Sequence, residues 1–158
     1  MTSPSSSITT PEHQLYLALQ TLASDLSQQP TELLRATGLS TAQFNVLRIL
    51  RGAGAGLTCG EIGGRLIARD PDVTRLLDRL EHAGLVARTR ERRDRRVVTS
   101  RISEAGLKLL ASLDAPLSRL HAAQFAHLPP EKLELLLTLL REIPPRNREA
   151  APESRETE

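Results

Sequence analysis

The densest chemistry in this 158-residue chain is a cluster of arginines. Arg88, Arg90, Arg92, Arg93, Arg95, Arg96 and Arg101 fall within fourteen positions, opposed only by Glu91 and Asp94, a local balance of +5. The whole chain carries only +2, so positive charge is concentrated here rather than spread. Such a concentration attracts a polyanion. At its centre, Arg92-Arg93-Asp94-Arg95-Arg96 separates two alternating runs, 85–91 and 97–102, that read as strands. Five residues this polar suit a hairpin tip rather than a core. An arginine-tipped hairpin fits the minor groove of a duplex, where narrow A·T segments concentrate negative potential. The competing reading is a solvated loop.

A short helix is expected immediately upstream, from Asp70 to Gly84, with Asp70 as cap and Pro71 in its first turn. Val73, Leu76, Leu77 and Leu80 recur at i, i+3, i+4 and i+7 and mark its buried face. Asp72, Arg75 and Arg79 form the opposite stripe. Side chains near the start of such a helix can read base edges in a major groove, and here they are Asp72, Val73, Thr74 and Arg75, with Arg79 one turn on. Arg75 has the donors for two hydrogen bonds to a guanine; Thr74 suits a phosphate or a thymine methyl. The alternative is a solvated face on which Arg75 and Arg79 pair with Asp72 and Asp78. The basic hairpin alongside favours DNA.

Two further residues merit chemistry. Thr58 opens a capping box with Glu61. That places backbone N–H groups at a helix start, for a phosphate contact or for stability alone. Cys59, in the same first turn, sits where the helix dipole favours a thiolate. It reads either as a redox sensor or as a small, partly buried residue. It is the only cysteine, so no intrachain disulfide and no cysteine-based zinc site can form. His13, His82, His121 and His127 show no helical metal spacing. With no glycine-rich phosphate loop, nucleophile elbow or paired metal ligands, neither an enzyme nor a cofactor is expected. No secretory leader and no run long enough to span a bilayer is read, so the cytoplasm is the expected compartment and no membrane partner is expected.

The elements around these residues are mostly helical. Residues 1–10 are Ser, Thr and Pro with one Ile and read as disordered, as does the tail 144–158. A first helix spans about 11–37, with Leu15, Leu19, Leu22 and Leu26 in stripe and a kink or break expected at Pro30. Ser40 and Gln43 form a capping box that opens a second helix, and Thr58 opens a third. Ser103 caps a long fifth helix, kinked at Pro116, and Pro130 starts a sixth. The fold class is mainly α with a small β-hairpin. A winged helix-turn-helix domain covers 38–103, and helical regions 11–37 and 104–143 flank it. Their leucine stripes serve either an intrachain bundle or a dimer, and dimerisation is favoured because the winged core is small.

This order resembles the MarR family of bacterial transcription regulators over residues 12–143. The most specific part is the wing: Asp94 and Arg96 match an Asp-x-Arg, Ile102-Ser103 a hydrophobic-hydroxyl pair, and Gly106 the glycine that follows. A second match runs from Val73 to Glu81 and continues through Gly84-Leu85-Val86. The resemblance implies a homodimeric regulator, most often a repressor, on a pseudo-palindromic double-stranded DNA operator. It also implies release by a small-molecule effector or by cysteine oxidation. It makes Arg96 the groove arginine, oriented through an ion pair with Asp94, with Arg95 as the alternative in that role. The competing function is a non-specific architectural DNA-binding protein.

Overall fold

A computed structural model describes residues 10–66, 72–90 and 96–143. Six helices and three short strands follow in the order α1 (Pro11–Arg35), α2 (Thr41–Ala53), β1 (Leu57–Thr58), α3 (Cys59–Arg65), α4 (Val73–His82), β2 (Val86–Arg90), β3 (Val98–Ile102), α5 (Glu104–Phe125) and α6 (Pro130–Glu142). The strands form one antiparallel sheet in the order β1-β3-β2. The expected hairpin is β2–β3. The third strand was not expected, because two residues are too few to show a period.

Local chemistry sets most boundaries. The Ser40–Gln43 and Thr58–Glu61 capping boxes are both complete. Thr10, read from sequence as part of a disordered segment, caps α1 by accepting from His13 N at 3.3 Å. Asp72, not Asp70, caps α4, its carboxylate accepting from Arg75 N at 3.1 Å. The Asp-Pro-Asp sequence offered two caps two residues apart. Asp70 and Pro71 lie outside the described residues, as do 1–9 and 144–158.

No break occurs at Pro30, and both α1 and α5 run as single helices through Pro30 and Pro116. In α1 the reason is visible. Pro30 has no N–H for the carbonyl of Leu26, one turn back. Gln124 of α5 supplies the missing donor, its Nε2 lying 2.9 Å from Leu26 O.

The core lies in the middle of the chain. Val46, Leu47 and Leu50 of α2 pack with Ile62, Leu76, Leu77, Leu80 and Val86, and α5 adds Leu110, Leu113 and Leu117. Each leucine so buried contributes about 1.5–3 kcal/mol. The α5 stripe therefore serves the chain's own core. The stripe of α6 and the first half of α1 do not: Leu15, Leu22, Leu137 and Leu140 are exposed, α6 buries none of its residues, and α1 enters the core only near its end, through Leu34. Among the described residues, no helix is long and apolar enough to cross a membrane.

One seam joins helix, wing and α5. Gly84 ends α4 with φ +71°, and Leu85 N donates back to Leu80 O at 2.9 Å. Ser103 then binds both sides. Its N–H donates to Leu85 O at 2.9 Å, its hydroxyl donates to Gly84 O at 2.7 Å, and the same oxygen accepts from Gly106 N at 3.0 Å.

Candidate nucleic-acid interface

The α4 helix divides into three stripes, because each residue turns about 100°. Val73, Leu76, Leu77 and Leu80 face the core and are buried. Val73 is thus a packing residue, not the groove-facing one expected, since at 8% exposure its side chain is closed off by the core. Arg75, Arg79 and His82 are exposed along a second stripe at i, i+4 and i+7. His82 completes this stripe and was missed; the spacing from Arg75 was the available signal. Thr74, Asp78 and Glu81 form the third stripe, toward the wing.

Arg88 on β2 meets that third stripe. Its Nη2 lies 2.7 Å from Asp78 Oδ1 and 3.1 Å from Thr74 O, and its Nε lies 3.6 Å from Glu81 Oε2. The side chain is only 20% exposed. Counted in sequence with the basic patch, Arg88 is neutralised within the protein. The signal was present: Val86 and Arg88 share a strand face, Val86 is apolar, and an arginine on the inner face needs acids nearby. Asp78 is therefore paired with the wing and not with Arg79, as the solvated-face alternative had it. Asp72 is the helix cap, and its Oδ2 also holds Arg75 Nε at 3.3 Å.

Thr58 is engaged locally. Its N–H donates to Glu61 Oε2 at 2.7 Å and its hydroxyl to the same oxygen at 2.8 Å. These bonds hold the Glu61 carboxyl below its ordinary range, the backbone bond contributing most. The anion at this helix start is the protein's own, and the arrangement supports the capping reading over a phosphate contact. Cys59 is half-buried, its Sγ 3.5 Å from Thr74 Oγ1. Cys59, Thr74, Leu77, Arg88, Val98 and Ser100 line a cavity of about 220 Å³ between helix and wing. Among the described residues no group of His, Cys, Asp and Glu could hold a metal ion.

Arg96, on the return into β3, is exposed, as are Arg90 and Arg101. Arg92, Arg93, Asp94 and Arg95 lie outside the described residues, and the expected Asp94–Arg96 pair with them.

Residues 39–98, the helices and most of the wing just described, match the MarR family model. A solved MarR transcription factor from Planctomyces limnophilus is 36% identical, with 85% of this chain and 98% of that one covered and a TM-score of 0.65. The chain belongs to the MarR family. It is accordingly a winged helix-turn-helix transcription regulator and not an enzyme. The HTH-type transcriptional repressor MdtR of Bacillus subtilis (strain 168) is 34% identical over 92 residues, 58% of this chain and 59% of that protein. A MarR variant from E. coli, solved in complex with operator DNA, is 25% identical, with 89% of this chain and all of that one covered and a TM-score of 0.78.

Proposed function

We propose that this MarR-family chain is a homodimeric, sequence-specific repressor that leaves a pseudo-palindromic operator when a small ligand or stress signal arrives. The supporting observation is the exposed Arg75–Arg79–His82 stripe, set beside an arginine-bearing wing on an otherwise nearly neutral chain. Arg75 and Arg79 read base edges, with Thr74 at the groove's margin. Arg96 enters the minor groove, with Arg92, Arg93 and Arg95 along the backbone and Asp94 orienting Arg96. The exposed leucines of α1 and α6 supply the dimer surface, since a helix that buries nothing is uncovered in the monomer. Two heads on one face of a duplex place half-sites about 10 bp, or a multiple, apart. The cavity between α4 and the wing is the natural entry for an effector, because whatever fills it touches Thr74 and Arg88. Cys59 opens onto the same space. If Cys59→Ser abolishes loss of DNA binding under peroxide, the thiol is the stress trigger; if loss persists, it is not.

Selection of bound duplexes from a random library tests the reading. An enriched inverted repeat is expected, with Arg96→Ala weakening its binding by about 1–3 kcal/mol. Binding with a steep salt slope but no enriched sequence refutes it and leaves an architectural protein.

A further inference from the structure

Resting on that reading, we propose that Arg88 is a positioning residue that sets the rotation of the recognition helix against the wing and makes no DNA contact itself. Its three partners, Thr74, Asp78 and Glu81, stand at i, i+4 and i+7 on α4. They span two turns of one narrow stripe. A single contact would let the helix roll about its axis or slide along it. Contacts to three successive rungs resist both movements. Arg75, Arg79 and His82 lie about 100° round the helix from that stripe, so its orientation decides where they point. To the non-directional packing of the apolar face, these charge-assisted contacts add direction.

The seat is also shielded. Arg88 Nε is buried and makes no hydrogen bond, with Glu81 Oε2 at 3.6 Å as its facing charge. Across the sheet Arg88 is paired with Ser100, which is 2% exposed. A guanidinium set beside the buried Ser100 and engaged by two carboxylates is turned away from a phosphate.

The test uses the full chain and the operator it selects. Arg88→Gln, Asp78→Asn and the double variant are compared with wild type for operator affinity, random-duplex affinity and salt dependence. A positioning role predicts that each single variant weakens operator binding about ten- to a hundredfold, the scale of a lost charge-assisted hydrogen bond. The double variant then falls no further than the worse single one, because the two residues act as a unit. Random-duplex affinity and the salt slope stay unchanged. Asp78→Asn is the decisive arm. It removes a negative charge near DNA, so simple electrostatics predicts tighter binding, whereas loss of positioning predicts weaker binding. It also retains Arg88, should Arg88→Gln fail to fold. Amide hydrogen exchange along α4 in the free protein should quicken in Asp78→Asn. Asp78→Asn binding the operator as tightly as wild type, or a salt slope reduced by about 0.9 in Arg88→Gln, the value for one phosphate, overturns the proposal. A wild-type chain that selects no operator overturns the regulator reading instead; unchanged α4 exchange still counts against Arg88 in that case.

Discussion

Replacing Gly106 by alanine tests the seam between recognition helix, wing and α5. A Cβ built at Gly106 falls 2.5 Å from Leu85 O and 2.7 Å from Ile102 Cγ1. Restoring ordinary contact with the carbonyl needs roughly 0.9 Å of movement, the scale of strain met in overpacked cores. Leu85 O is poorly placed to retreat, because it accepts from Ser103 N at 2.9 Å. Ile102 belongs to β3, so its displacement pulls on the wing. Overpacking of this kind costs about 1–3 kcal/mol, and the better helix propensity of alanine returns about 0.5–1 kcal/mol. Because the group met is a backbone carbonyl, the upper part of that cost applies, about 2–3 kcal/mol. The net loss is about 1–2.5 kcal/mol, a fall in melting temperature of about 2–10 °C for a chain of this size. Thermal unfolding followed by circular dichroism, at fixed protein concentration so that association is held constant, checks it. A melting temperature equal to or above wild type would show that the α5 start accommodates a methyl group. The close approach would then not explain the glycine.

Two other predictions concern the helical frame. Gln124→Ala should destabilise the chain by about 1 kcal/mol, the usual net value of one hydrogen bond. In a Pro30→Ala background the same change should be nearly neutral, since residue 30 then supplies an N–H to Leu26 O; urea unfolding of the four proteins measures the coupling, and additive effects refute the account. The third prediction is a pH dependence. Arg51 grips Asp114 through two bonds of 2.8 and 2.9 Å, and its guanidinium holds that carboxyl below the ordinary aspartate value of 3.8. A lowered carboxyl contributes stability that is present above its ordinary value and lost as pH falls through the lowered one. The stability advantage over Asp114→Asn should therefore vanish in acid and persist at neutral pH. An advantage independent of pH would exclude the ion pair as its source.

What the sequence revealed and what it concealed have physical causes. Capping boxes at Ser40 and Thr58, and the leucine periods of α4 and α5, are local patterns, and they reappear as elements. The α4 start moved because two aspartates flank one proline. The carbonyl that Pro30 leaves without a donor is met by Gln124, 98 positions away, which no local rule can anticipate. Arg88 was hidden for a different reason: charge density does not say which side chains face inward. Its position on the face of Val86 did, and Asp78 and Glu81 were the acids to seek.

On the proposed function, the three stripes of α4 separate what the helix reads from what holds it. Leucines anchor one side, Arg88 grips another, and neither set overlaps with residues 75, 79 and 82. On the proposed function, a duplicated copy of this gene is free to acquire a new target by substitution at those three positions, with the fold untouched. Divergence of regulatory circuits is thereby decoupled from folding, and a library randomised at the same three positions should yield altered operators without a general loss of folded protein.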